Sequence, residues 1–176
     1  MDLTPLLSQI AVQYQLPPDG AHGLSHWGRV LENGLRLAKI EGGDTIVITL
    51  FAIFHDACRH NQSLDPGHGD RGAELADYFL RGNPEVTDNQ LDLLKFACSQ
   101  HTDGETEGDL TVRICWDSDR LDLARVGIRP NTRFLCTDAA KNKKVINWAN
   151  TRAQANYTPD FVKADWSQFF TVNRTT

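Results

Sequence analysis

The sequence predicts an all-α protein, a single compact bundle of six to nine helices. Apolar residues recur at helical spacing in most segments, and no segment shows the clear apolar and polar alternation of a half-buried strand. Clusters of Pro, Gly and Asp or Asn separate these segments at helix length. A chain of 176 residues has the size of one domain and buries about 70% of its unfolded surface without disulfide bonds. We therefore expect residues 1–176 to form one domain.

Three helices are predicted in the first third of the chain. The first covers Leu3 to Tyr14, and the second follows a Pro-Pro-Asp-Gly turn and ends at Gly42-Gly43. Asp44 is the predicted N-cap of the third, which covers residues 45–58. The β-branched residues at its start would also suit a buried strand. Its apolar length and the lack of a partner strand favour a helix that is buried on all sides.

The middle of the chain carries three more predicted helices. Asp70 opens the first of them, and Thr87 or Asp88 caps the second. The third places Cys115 and Asp119 on one apolar face. These boundaries follow from the capping residues and from the spacing of the apolar residues.

The helical signal weakens after residue 127, although residues 134–148 still suggest a helix. The candidate functional residues lie between residues 20 and 130. We expect residues 141–176 to pack on that part of the chain or to be partly irregular.

Charge and hydropathy exclude two classes of partner. A net charge of -5, with 23% charged and 40% hydrophobic residues, does not suit the wrapping of duplex nucleic acid, which needs many cationic contacts to phosphates. No apolar run approaches the roughly 18 residues of a membrane-spanning helix. A small anionic substrate stays compatible with this charge, because a metal ion or a local Arg can supply the positive charge.

The four cysteines are widely spaced, and the first twenty residues lack the features of a secretion signal. We therefore expect reduced thiols in a cytoplasmic protein rather than a disulfide or zinc framework. Small buried thiols are common, so Cys115 is interpreted as a packing residue, with a nucleophile as the alternative. The four tryptophans are likewise interpreted as packing residues rather than as a base-stacking surface.

Several ionisable residues occupy positions where the apolar pattern predicts core. His55 and Asp56 end the most apolar segment, His101 continues an apolar stripe, and His26 and Asp119 lie beside inward-facing residues. Taken one at a time, each suits a hydrogen-bonded core histidine, a helix cap or a partner of an arginine. A buried carboxylate is unfavourable by several kcal/mol unless it is paired or coordinated. One divalent metal ion would satisfy all of these side chains together, since imidazole and carboxylate groups are both good ligands.

The adjacent pair His55-Asp56 limits the kind of metal site that is expected. Neighbouring residues on a helix point about 100° apart, so both can bind one ion only near the end of the helix. The other ligands must then come from helices that are distant in sequence. This predicts a long-range site rather than a local motif such as HExxH.

The order of these residues, and the sequence around them, resembles the HD-domain superfamily of metal-dependent phosphohydrolases, and most closely its small single-domain bacterial members. The blocks that carry the resemblance are HGLSHWGRV, FAIFHDACR, GHGDRGAELA, SQHTDG and CWDSDRLDLARVGI. They cover roughly Gly20 to Pro130 and follow the order of the family. The resemblance implies an all-α HD-type bundle that hydrolyses a phosphoester or phosphoanhydride bond of a small phosphorylated substrate, a nucleotide in our interpretation.

The resemblance also implies the ligand set. Carried over by position, the metal ligands are His26, His55, Asp56 and Asp119. Mixed imidazole and carboxylate ligation suits one divalent ion of Mn, Fe, Co, Ni or Mg, and some family members hold a second metal.

Three further residues are predicted to contact substrate. Arg59 stands where many family members have Lys and some nucleotidases have Glu, and a guanidinium suits phosphate oxygens. The alternative makes Arg59 a surface residue or a partner of Asp65. His101 is predicted to contact phosphate or a second metal. His68 precedes a helix start that could bind an anion, with a capping or packing histidine as the alternative.

The remaining polar residues are predicted to have other roles. His22 and His60 are expected to be structural or solvated, and Asp117 to be solvated or a support for the ligands. Two functions from other classes stay open beside the enzyme. One is a non-catalytic metal-binding or ligand-sensing module, and the other is a metal-free helical interaction protein.

Overall fold

The structure is a computed structural model that describes residues 1–171, and over this range it is all-helical, as the sequence predicts. The nine α-helices are α1 (Thr4–Gln13), α2 (Leu24–Glu41), α3 (Thr45–Phe54), α4 (His68–Leu80), α5 (Asp88–Gln100), α6 (Leu110–Arg120), α7 (Asp138–Lys141), α8 (Lys143–Gln154) and α9 (Ser167–Thr171). Two 3₁₀ turns, Leu123–Val126 and Thr132–Phe134, and a π-helical turn, Val162–Trp166, complete the described elements. Within this range the chain forms no strand.

The central element is α3, which packs against α2, α4, α5 and α6. Its Asp44 N-cap accepts hydrogen bonds from the backbone N–H groups of Ile46 (2.9 Å) and Val47 (3.3 Å). From Leu50 to Phe54 every side chain is fully buried. Because neighbours cover the helix on all sides, the segment has no polar face, and this accounts for the strand-like appearance of its sequence.

Two helix boundaries differ from the sequence-based expectation. The helix predicted to start at Asp70 starts two residues earlier, at His68, because Gly67 turns the chain in a left-handed conformation (φ +78°). The helix predicted to reach residue 58 ends at Phe54, with His55 as its C-cap. Thr87, rather than Asp88, caps α5, through a capping box with Gln90.

The described part of segment 141–176 packs on the rest of the protein, whereas residues 172–176 lie outside the described range. Helix α8 contributes Val145, Ile146 and Ala149 to the core beside α2. The Phe170 ring packs edge-on against Trp27, with ring centroids 5.8 Å apart. None of the described helices has the length and apolar character needed to cross a membrane.

Candidate metal centre

The predicted site residues meet at one junction of five helices. The residues are His26 in the first turn of α2, His55 and Asp56 after α3, Arg59 in the loop that follows, His68 at the start of α4, His101 at the end of α5 and Asp119 in the last turn of α6. All are buried except Asp119, whose side chain keeps 15% of its exposure. Ionisable groups gathered in this way need an opposite charge or a bound ion.

The first half of the cluster contains the four predicted ligands. The Nε2 atoms of His26 and His55 lie 3.0 Å apart. Asp119 Oδ1 lies 3.5 Å from His26 Nε2 and 4.0 Å from His55 Nε2. Asp56 Oδ2 lies 3.5 Å and 3.7 Å from the same two nitrogens. Two groups of possible ligand atoms, each within 4.8 Å of one another, therefore share His26: one is His26, His55 and Asp119, and the other is His22, His26 and Asp56.

The hydrogen bonds on the far side of each ring fix which nitrogen carries the proton. His55 Nδ1 donates to the Phe51 carbonyl (3.0 Å), and His26 Nδ1 donates to the Asp122 carboxylate (2.8 Å), which Arg29 also holds. In a neutral ring with its proton on Nδ1, the Nε2 atom has a lone pair and no hydrogen. Burial lowers the pKa of His55 to about 3, so protonation of the His55 ring is disfavoured. A metal cation fits this pair of facing lone pairs.

The second half of the cluster repeats this arrangement. The Nε2 atoms of His68 and His101 also lie 3.0 Å apart. Their Nδ1 atoms donate to backbone carbonyls, of Asp65 (2.7 Å) and Cys98 (2.6 Å) respectively. Asp56 Oδ1 lies 3.2 Å from His68 Nε2 and 3.9 Å from His101 Nε2. Asp56 therefore offers one oxygen to each histidine pair, and the residues can hold a second cation beside the first.

The approach of α4 to α5 depends on a glycine. A Cβ atom at Gly69 would lie 2.3 Å from the Cys98 carbonyl oxygen and 3.1 Å from the His101 ring. The absence of a side chain at Gly69 therefore allows the close contact of α4 and α5 that brings His68 to His101.

Arg59 belongs to the cluster, and it is neither a surface residue nor a partner of Asp65, the two alternatives that the sequence left open. Its Nη1 atom lies 3.1 Å from His68 Nε2 and 3.4 Å from Asp56 Oδ1. Its other nitrogens donate to loop carbonyls, including that of Ser63 (2.5 Å). Asp65 pairs with Arg71 instead, at 2.8 Å. The guanidinium is thus held beside the carboxylate that the two histidine pairs share.

His22 belongs to the site as well, contrary to the expectation that it is structural or solvated. It is buried, and its Nδ1 atom lies 2.6 Å from Asp56 Oδ2. His22 lies outside α2, because Gly23 is the N-cap of that helix. The rule that residues four apart share one face of a helix therefore does not apply to His22 and His26. The signals available in the sequence were the spacing of four residues from His26 and the position of His22 as the first residue of the block HGLSHWGRV. His60 is exposed, as expected.

Asp117 is neither solvated nor directed at the cluster. It is fully buried and accepts hydrogen bonds from the backbone N–H groups of Cys136 (2.7 Å) and Thr137 (2.8 Å) and from the Thr137 hydroxyl (2.8 Å). Burial raises the pKa of this carboxyl. Asp117 therefore anchors the turn before α7. The supporting carboxylate that sequence reasoning missed is Asp122, which orients His26.

The two predicted carboxylate ligands stay ionised inside the protein. Burial by itself would raise the pKa of Asp56, but His55 and His22 hold it well below its usual range. Burial likewise opposes ionisation of Asp119, and Arg125 and His26 outweigh it and lower the pKa. Anionic oxygens beside imidazole nitrogens form a suitable donor set for a divalent first-row cation.

The thiols do not have the environment of a nucleophile. Cys58 is partly buried and the other three are buried, all four are free, and burial raises the pKa of each, that of Cys136 to about 12. We expect iodoacetamide to modify the native chain slowly and Cys58 first, whereas the unfolded chain reacts at all four positions. Mass spectrometry of the alkylated peptides measures this. Rapid modification of Cys115 in the native chain would contradict it.

No protein-family model, curated protein or solved structure matches this chain. The functional interpretation therefore depends on the residues and contacts of the site itself.

Proposed function

We propose that this chain is a metal-dependent phosphohydrolase of the HD-domain type. Its substrate is a small phosphorylated molecule, a nucleotide, whose phosphoester or phosphoanhydride bond it hydrolyses. The observation that carries the proposal is the convergence of two pairs of imidazole nitrogens on the two oxygens of Asp56. Nitrogen and oxygen donors of this kind bind divalent cations, and they belong to residues that carry the family resemblance.

The ligands of the first ion are His26, His55, Asp56 and Asp119. His68 and His101, with the second oxygen of Asp56, hold a second ion or contact the phosphoryl group. Nitrogen and oxygen donors of this kind suit Mn, Fe, Co, Ni or Mg. When bound, such an ion lowers the pKa of a coordinated water toward neutrality and polarises phosphorus.

The chain's own residues orient the ligands and bind the anion. Asp122 and the Phe51 carbonyl hold the rings of His26 and His55 with Nε2 toward the centre, as supporting hydrogen bonds do at metal sites. Arg59 supplies a buried guanidinium that can donate to phosphate oxygens as charge develops on them. Because the cluster is buried, these interactions act with little screening by water.

Two features narrow the proposal. Arg59 occupies the position where some nucleotidases of the family have Glu, and this favours a nucleotide phosphohydrolase without a 5'-nucleotidase assignment. The four free thiols favour a reducing compartment, and we assign the protein to the cytoplasm.

A turnover screen tests the proposed function. The chain is stripped with a chelator, reloaded with Mn²⁺, Co²⁺ or Mg²⁺, and incubated with nucleoside mono-, di- and triphosphates. We expect release of phosphate or pyrophosphate that requires the metal, is lost in Asp119→Asn, and is kept in Asp92→Asn, an exposed carboxylate on α5. Metal uptake without turnover on any phosphorylated compound would favour the ligand-sensing module. A chain that takes up no metal would favour the interaction protein.

A further inference from the structure

Arg125 is a buried guanidinium that neither the sequence prediction nor the proposed ligand set includes. It lies in the 3₁₀ turn Leu123–Val126 that follows α6, and its side chain keeps 7% of its exposure. Its Nη1 atom lies 3.7 Å from Asp119 Oδ1 and 3.9 Å from Asp122 Oδ2. Both distances exceed a hydrogen bond. Among the described residues this buried nitrogen has no acceptor.

The orientation of the guanidinium is set from its other edge. Arg125 Nε donates to the Ala21 carbonyl at 2.9 Å, and this fixes the plane of the group. Nη1 is then directed toward Asp119 Oδ1, itself a buried oxygen without a hydrogen-bond partner in the described part of the chain. Asp119 Oδ1 is also the oxygen that faces His26 and His55. The unpaired donor therefore lies at the edge of the candidate metal centre.

Arg125 is a counter-charge to Asp119, whose pKa it lowers, but this role leaves the Arg125 Nη1 atom without a hydrogen bond. Asp122, the second carboxylate near it, already accepts two hydrogen bonds from Arg29, at 2.7 Å and 3.0 Å, and one from His26. Asp122 is thus neutralised without Arg125. Buried donors in proteins are nearly always paired, so an unpaired guanidinium nitrogen indicates an acceptor that binds there. A guanidinium binds anionic oxygens most strongly, and we take the missing acceptor to be an oxygen of an anionic ligand.

We infer that Arg125 is, beside Arg59, a second phosphate-binding residue of the candidate metal centre. This inference rests on the proposed function. Its Nη1 atom donates to an oxygen of the substrate phosphate on the Asp119 side, and Arg59 donates on the side of Asp56 Oδ1. Two guanidiniums from different elements then hold the same anion. Asp119 and His22 are the most exposed side chains of the cluster, at 15% and 10%, and the anion would reach it past them.

The test measures inorganic phosphate binding to the Mn²⁺-loaded full chain by calorimetry, with the metal content determined in parallel. The variants are Arg125→Gln and Arg125→Lys, and the matched control is Arg129→Lys, an exposed arginine four residues further on. We expect the phosphate Kd to rise about 10- to 100-fold in Arg125→Gln, the loss of one charge-assisted hydrogen bond, and by a smaller factor in Arg125→Lys. Manganese content and the control stay unchanged.

Three outcomes overturn the inference. They are an unchanged phosphate Kd in a metal-loaded Arg125→Gln chain, loss of manganese in Arg125→Lys, and a wild-type chain that binds Mn²⁺ but no phosphate. If Arg125→Gln does not fold, the phosphate Kd of Arg125→Lys tests the inference. This variant keeps the charge and loses the planar geometry of the guanidinium. A chain that binds phosphate through Arg125 and hydrolyses no nucleotide refutes the proposed function alone.

Discussion

Asp56→Asn is expected to abolish metal binding while the fold is retained. One Asp56 oxygen faces His26 and His55, and the other faces His68 and His101. The substitution keeps the size of the side chain and removes the charge that both histidine pairs share. An amide is a weak ligand for a divalent cation, and its NH₂ group would point at bare imidazole nitrogens on one side.

The expected effect is at least about 100-fold in metal affinity, because loss of a supporting hydrogen bond alone costs roughly 10- to 100-fold at metal sites. Elemental analysis after dialysis gives the metal content per chain, and the turnover assay gives the activity. Both are expected to fall below a tenth of the wild-type value. Circular dichroism checks that the helices remain.

Asp117→Asn is the matched control, a buried carboxylate on α6 that holds the turn at Cys136 and Thr137. This variant is expected to lower the free energy of unfolding by about 1–3 kcal/mol, through weakened buried hydrogen bonds, and to keep the metal. Full metal content in Asp56→Asn would show that Asp56 is not a ligand. Loss of metal in both variants would mean that the effect is one of stability.

Helical period and capping residues predicted most of the fold. Asp44 and Thr87 cap the helices that they were expected to cap, and the apolar run at α3 is a buried helix. The start of α4 was misplaced because the left-handed turn at Gly67 depends on the conformation of the loop. After residue 127, α7 and α9 have four and five residues and give no clear period, whereas α8 has twelve and overlaps only in part with the helix suggested at residues 134–148.

The site was predictable where a polar residue interrupts an apolar stripe. His101 and Asp119 were recognised in this way, and both lie in the cluster. His22 and Arg125 were missed because they lie in a turn before α2 and in a 3₁₀ turn after α6, where the helical period does not apply. Their approach to the centre arises from tertiary packing alone.

Asp117 shows the limit of reasoning from a single helix. Asp117 lies two residues from Asp119, about 200° around the helix, and its carboxylate pairs with Cys136 and Thr137 rather than with the cluster. The prediction of a solvated side chain was wrong, because the turn at Cys136 and Thr137 covers that face of α6. That turn lies in the part of the sequence with the weakest signal.

Acid is expected to destabilise the metal-free chain strongly, beginning well above the range in which carboxylates titrate. Burial lowers the pKa of His55 to about 3, and burial also lowers the pKa values of His22 and His101. In the unfolded chain a histidine titrates near 6.5. Between these values the unfolded state binds protons that the folded state does not, so the stability falls as the pH falls.

The slope of the free energy of unfolding against pH follows from the number of histidines that stay neutral in the folded chain. Each contributes up to about 1.4 kcal/mol per pH unit once the unfolded histidine is protonated, so His55 alone lowers the free energy of unfolding by about 2 kcal/mol between pH 6.5 and 4.5. The carboxylates act in the same direction at lower pH. The pKa values of Asp56 and Asp119 are lowered in the folded state, so their contribution is present above pH 4 and is lost as the pH falls further.

Urea unfolding of the chelator-treated chain between pH 7 and 4.5 measures this slope. His55→Gln is expected to reduce it by up to about 1.4 kcal/mol per pH unit, because one neutral buried imidazole is removed, whatever the change in total stability. His60→Gln replaces an exposed histidine and is expected to leave the slope unchanged. A flat stability between pH 6.5 and 4.5 would mean that the facing Nε2 atoms share protons, and the argument that a cation lies between them would then be lost.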